Sequence, residues 1–247
     1  MIPLKSEEDL KMLQVSASIL SNILKRLKDE VRPGVRTLEL DSLAYKLIMQ
    51  EDARPAFKGY QGYPATLCVS INEEIVHGIP GERVINSGDL VSIDLGVNYQ
   101  GYFSDAAISL AVGEAKPEVL MLINASRMAL EEGIKQARVG KRLSDISHRI
   151  QEVAEKSGFS VVRQFVGHGI GLNLHEEPEI PNFGEANLGP VLKEGMVLAI
   201  EPMVNMGGWE SEILANGWTA VTMDRMPSAH FEHTVAITRQ GPLVLTN

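Results

Sequence analysis

Residues 86–110, NSGDLVSIDLGVNYQGYFSDAAISL, decide how the rest of the chain is read. Ser87-Gly88-Asp89 is a turn signal, after which apolar residues alternate with small or polar ones. Asn98-Tyr99-Gln100-Gly101 interrupts the alternation, and it resumes from Tyr102 to Leu110, the pattern of a two-stranded antiparallel hairpin. With the turn centred on Tyr99-Gln100, Asp94 stands directly opposite Asp105, and both have apolar neighbours. Like charges opposed on a ladder destabilise it. A buried carboxylate costs several kcal/mol unless something cationic compensates. No Lys or Arg lies within the hairpin. The stretch therefore predicts a metal ion as compensator, with further ligands supplied from elsewhere in the chain.

At 247 residues the chain can form one large domain or two small ones with a substantial core. A hydrophobic content of 44% beside 22% charged residues is ordinary for a soluble globular protein. The net charge of −9, with no Lys/Arg tract, argues against nucleic acid as the main partner. Cys68 is the only cysteine, which excludes a disulfide within the chain and fits a reducing compartment. The N-terminal MIPLKSEEDLKML has no apolar signal core, and no run reaches membrane-spanning length. The expectations are no membrane partner and a cytoplasmic location.

Ser6 with Asp9 reads as a capping box opening a long amphipathic helix that ends at Arg32-Pro33-Gly34. A second helix follows, then a Gly/Pro/aromatic loop (55–64), a strand from Ala65 to Ile71, and the hairpin. After Gly113 the order starts again. Helices run from Pro117 and from Leu143, the latter closed by Gly158. A strand covers 160–166, and others lie near 196–204, 218–223 and 231–238.

The two halves, roughly 6–113 and 114–247, look like a duplication within a single catalytic domain spanning 1–247. SGDLVSID (87–94) lines up with EGMVLAIE (194–201), matching Asp94 to Glu201, and Asp105 aligns more loosely with Glu232. Two α+β halves related by a pseudo-two-fold would pool their strands into one curved antiparallel sheet with helices on its outer face. Four carboxylates would balance two divalent ions. Symmetry makes Asp94 and Glu201 terminal ligands on opposite ions and Asp105 and Glu232 bridging, or the reverse. Oxygen-rich ligation suits Co, Mn, Fe or Zn. His168, set among Gly167, Gly169 and Gly171, is the candidate nitrogen ligand. His148, His230 and His233 read as structural residues, and Glu176, Glu177 and Glu179 as solvated acids.

At these residues the chain resembles the type I methionine aminopeptidases, which have the pita-bread fold. The likeness covers essentially the whole chain. It rests on SINEEIVHGIP (70–80), SIDLGVNYQGYFSDAA (92–107), GHGIGLNLHEEP (167–178), IEPMV (200–204), NGWTAVT (216–222) and FEHTVAIT (231–238). The resemblance implies removal of N-terminal methionine from nascent proteins and peptides with a small second residue. It assigns Asp94 to one ion and His168 and Glu201 to the other, with Asp105 and Glu232 bridging. A hydroxide between the ions would attack the first peptide bond, and Glu201 would move the proton toward the leaving nitrogen. His175 would contact the substrate carbonyl and developing oxyanion, and His77 the scissile amide.

By the same match Tyr60, Tyr63, Cys68, Trp218 and Phe231, with Phe57 at the rim, would form the methionine pocket. Cys68 would be lining and not a nucleophile. The chain departs from many relatives at Phe57 and Leu174, both at pocket edges. A structural Na or K ion near Asn72 and Ser228 is also implied. A monomeric state and the ribosome as a further partner are expectations that the sequence itself does not address.

Overall fold

The computed structural model describes residues 2–247. Four helices, α1 (Glu7–Glu30), α2 (Thr37–Gln50), α3 (Pro117–Ile134) and α4 (Leu143–Lys156), surround one nine-stranded sheet. Its strands are β1 (Arg54–Pro55), β2 (Leu67–Ile71), β3 (Leu90–Tyr99), β4 (Tyr102–Ala111), β5 (Gly167–Gly169), β6 (Glu176–Ile180), β7 (Val197–Ile200), β8 (Glu232–Thr238) and β9 (Gly241–Val244). The expected capping box is present: Ser6 accepts from the Asp9 amide and Asp9 from the Ser6 amide, which satisfies two donors at the start of α1. Gly158 follows the end of α4 at φ +86°, a conformation glycine adopts without steric penalty.

All pairings in the sheet are antiparallel, in the order β1-β3-β4-β8-β7-β5-β6, with β2 also on β3 and β9 also on β8. The centre is the β4–β8 pair, where the two halves of the chain meet. On one side β2 and β3 present Leu67, Val69, Ile93 and Leu95 to α1 and α2. On the other side β7 and β8 present Leu198, Ile200, Val235 and Ile237 to α3 and α4. The sheet is curved, with helices against its outer face and polar side chains on its inner one. Among the described residues no helix is long and apolar enough to cross a membrane.

Two local expectations are corrected. The hairpin turn is Gln100-Gly101, so Asp94 pairs with Ala107 and Asp105 pairs with Gly96. Both turn residues have positive φ (+52° and +90°), as the tightest hairpin loops require, and Asn98 Oδ1 accepts from the Gly101 amide. The register moves by two, which keeps both acids on one face. The strand expected over 160–166 is broken: Ser160–Val161 pairs with Met203–Asn205 in a separate small sheet, and the main sheet is rejoined only at Gly167. A matching break falls between β7 and Met203, where Pro202 has no amide to donate.

Candidate metal centre

Cross-strand pairing places the predicted acids in rows. Cys68 is opposite Asp94, Asp94 opposite Ala107, and Ala107 opposite Glu232. One step along, His168 is opposite Ala199, and Ala199 opposite Thr234. Side chains alternate between faces, so Asp94, Asp105, Glu232 and His168 all point inward, and Glu201, two residues beyond Ala199, follows them. The intervening positions are small: Gly96, Ala107 and Ala199. A Cβ on Gly96 would lie 2.6 Å from the Phe57 ring, so this glycine makes room for Phe57. The β4–β8 seam is closed by Thr234, whose hydroxyl accepts from the Asp105 amide (2.9 Å) and donates to the Asp105 carbonyl (2.8 Å).

Three of the carboxylate oxygens lack protein partners. Asp94 Oδ1, Asp105 Oδ1 and Glu232 Oε1 are buried without a hydrogen bond, and no Lys or Arg lines the cavity they face. Burial, joined by mutual repulsion, holds Asp105 and Glu232 well above the ordinary carboxylate range, and burial does the same to Glu201. Burial pushes Asp94 up to about 6, partly offset by His230. Four acids that resist ionisation at one spot, three of them with a buried oxygen unpaired, fit a site for cations. Donor atoms of Asp105, His168 and Glu232 lie within 4.8 Å of one another, and so do those of Glu201, His230 and Glu232. The donor set fits hard or borderline divalent ions.

His168 is prepared as a ligand. Its Nδ1 lies 2.9 Å from the Gly169 carbonyl, so that nitrogen carries the proton and donates it. Nε2 is then a free lone pair, 3.5 Å from Glu201 Oε1. Burial drives its pKa down to about 3, leaving the ring neutral at pH 7. Close approach of the strands here depends on glycine: a Cβ on Gly167 would lie 2.5 Å from the Ala199 carbonyl oxygen.

His175 stands partly exposed at the cavity mouth, its ring centroid 4.2 Å from that of His168. Tyr60, expected as pocket lining, also touches this histidine, with its hydroxyl 2.7 Å from Nδ1. When that hydroxyl donates, the remaining ring proton sits on Nε2. Glu176 contradicts the expectation of a solvated acid. It pairs with Lys5 at 2.5 Å, both side chains being buried, and accepts from the amides of Leu172 and Asn173. His77 has φ +61°, a strained conformation for a non-glycine residue that recurs at functional sites. Its ring is edge-on to Phe165 (5.5 Å) and Trp218 (6.4 Å), and burial lowers its pKa to about 4.

The acids form the floor of a cavity of about 280 Å³. Phe57, Tyr60, Tyr63, Cys68 and Trp218 line it as expected, and so does Leu174. Phe165, Val76 and Met203 complete the apolar wall, without a local sequence signal that could have named them. The Tyr63 hydroxyl donates to the Leu67 carbonyl (2.9 Å), leaving the ring to face Trp218 at 5.1 Å. Cys68 is wholly buried, which pushes its thiol up and makes it inert as a nucleophile.

Phe231 is a correction. It does not line the cavity but packs into the core with Leu198, Ile200 and Val235, because alternation turns it away where Glu232 turns inward. His230 is the converse. Expected to be structural, it lines the cavity with Nε2 buried, unpartnered and 3.7 Å from Glu201 Oε2. His148 and His233 bond to the Gly184 carbonyl and the Thr246 hydroxyl, as structural residues do. Asn72 and Ser228 meet, the Ser228 amide donating to the Asn72 carbonyl, while the Asn72 side chain is used by Asp89 and the Leu90 amide.

Residues 11–239 match the metallopeptidase family M24. The chain is 50% identical to the methionine aminopeptidase of Clostridium perfringens and 47% identical to methionine aminopeptidase 1 of Bacillus subtilis. Each match covers 100% of this chain and 99% of the relative. The crystal structure of methionine aminopeptidase from Rickettsia prowazekii superposes with a TM-score of 0.99 at 37% identity, covering 100% of both chains.

Proposed function

The chain belongs to metallopeptidase family M24, and from that membership and its inner-face geometry we propose how it acts as a methionine aminopeptidase. The observation that carries the reading is the cluster of buried, unpartnered carboxylate oxygens beside a neutral imidazole. We assign Asp94 to one divalent ion, His168 and Glu201 to a second, and Asp105 and Glu232 to both. Co, Mn, Fe and Zn all suit these donors. Bound there, such ions supply Lewis acidity at the first peptide carbonyl and lower the pKa of water.

The chain's own residues do the rest. The apolar end of the cavity, with Tyr63, Cys68 and Trp218, takes the methionine side chain, and Cys68 lies directly across the ladder from Asp94. Such a pocket discriminates by about 1–3 kcal/mol per methylene-sized difference. His175, with its Nε2 proton set by Tyr60, donates to the carbonyl oxygen as negative charge develops. His77, neutral at pH 7, hydrogen-bonds the scissile amide. Glu201 carries the proton to the leaving nitrogen. We further read 6–113 and 114–247 as repeats within one domain, supported by the matching strand and helix order on either side of the β4–β8 seam. The substrates are nascent chains with a small second residue, in the cytoplasm.

The test is methionine release from Met-Gly-Met-Met by protein stripped of metal and reloaded with each divalent ion. No release with any ion would end the assignment, and cleavage of Gly-Pro peptides instead would redirect it to an X-Pro peptidase.

A further inference from the structure

Glu201 is bracketed by two imidazoles. His168 Nε2 faces one carboxylate oxygen at 3.5 Å, and His230 Nε2 faces the other at 3.7 Å. The His230 ring is 2% exposed, and its Nε2 has no hydrogen-bond partner. Burying such a nitrogen unpaired carries a desolvation cost that folded proteins rarely leave uncompensated. The residue is also clamped. Its amide donates to Ser109 Oγ and its carbonyl accepts from that same hydroxyl, both at 2.8 Å, and Ser109 Oγ in turn meets Ser92 Oγ at 2.7 Å.

The spacing is longer than a hydrogen bond and leaves room for an ion between the groups. A hydrogen bond from an imidazole to a carboxylate would bring the atoms to about 2.7–3.2 Å. Nitrogen and oxygen donors about 2.1 Å from one ion stand about 3.0–3.4 Å apart at tetrahedral or octahedral angles. The His230–Glu201 separation is nearer the second value, as is that of His168 from Glu201. Glu232 completes the set, its donor atom lying within 4.8 Å of those of Glu201 and His230.

We propose that His230 is a sixth protein donor of the metal centre, giving it a second imidazole on the side of Glu201 away from His168. This rests on the dimetal reading above and adds to it. A second nitrogen shifts preference toward ions that favour imidazole and away from Mn, which favours oxygen.

The test is Co uptake by metal-stripped protein, with imidazoles counted by X-ray absorption and affinities measured by calorimetry. The wild type should show two imidazoles, and His230→Gln and His168→Gln one each. Loss of one nitrogen donor should weaken Co binding about 10–100-fold, the range seen for residues that tune a metal site, with a smaller effect on Mn. His230→Asn, too short to reach the ion, should behave like His230→Gln, and near-UV circular dichroism of the metal-free variants checks that packing is kept. An imidazole count and Co affinity equal in wild type and His230→Gln would overturn the proposal while leaving the dimetal centre standing. Failure of the wild type to take up Co at all would overturn both.

Discussion

Lys5 is the only buried Lys or Arg among the described residues, and its replacement by Met tests how the N-terminal segment serves the site. Its Nζ lies 2.5 Å from Glu176 Oε2, with only 4% and 6% of the two side chains exposed. The other Glu176 oxygen accepts from the Leu172 and Asn173 amides, closing the loop that carries Leu174 and His175. Gly171 leaves the space through which the lysine runs, since a Cβ there would lie 2.0 Å from Lys5 Cε. Removing one partner of a buried pair costs about 3–5 kcal/mol. Glu176 would keep two amide donors, which favours the lower end, about 3 kcal/mol. For a domain of this size that corresponds to a fall in Tm of roughly 6–12 °C. Unlike a surface pair, it should respond little to added salt. Lys5→Met with Glu176→Gln should recover part of the loss, because the uncompensated charge is gone. Methionine release by Lys5→Met should fall while bound metal stays constant, since the His175 loop is loosened and the ligands are not. A Tm within about 1 °C of wild type, or a double variant no better than the single, would refute the argument.

Asp105→Ala and Glu232→Ala should each abolish turnover and lower bound metal, read by elemental analysis; activity retained in either would remove the bridging assignment. His175→Ala should keep its metal while kcat falls by about 10²–10³, the cost of losing one oxyanion donor. Tyr60→Phe should reduce kcat less, by releasing the His175 tautomer, and an unchanged kcat for His175→Ala would sink that role. The metal-free protein should lose stability as pH rises above about 6.5, the ordinary histidine value, measured as Tm. The sign follows from the carboxyls. Their folded-state pKa values are raised, Asp94 to about 6 and the other three well above the ordinary carboxylate range, so they stabilise the fold while protonated and cease to do so as pH climbs through the folded-state values. His77 and His168, lowered to about 4 and about 3, act only below the ordinary histidine range and leave this window alone. The slope is about 1.4 kcal/mol per pH unit for each proton retained. Saturating divalent ion should abolish it, and a flat profile without metal would contradict the burial argument.

What was legible from the sequence is what local chemistry encodes. Alternation with a period of two places Asp94 and Asp105 on one face, and the register of the folded hairpin, two residues from the expected one, preserves that face. A two-residue hairpin loop favours glycine at its second position, which points to Gln100-Gly101. Gly-His-Gly marked a strand that another backbone approaches closely, and the capping box marked the start of α1. Chain order is the ground on which we read the two halves as repeats that align Asp94 with Glu201.

Only the tertiary structure decided which way residues at element ends turn and what meets them from far along the chain. His230 and Phe231 are adjacent, and their opposite fates depend on pairing with Met203 and on packing against α3 and α4. Glu176 reads as a surface acid until Lys5 arrives from 171 residues away. Tyr60 reaches His175 across 115 residues. Local periodicity carries no record of such contacts, because they are set when the two halves close against each other over the shared sheet. The sequence determined which groups could hold a metal ion. The fold determined that two imidazoles, and not one, face Glu201.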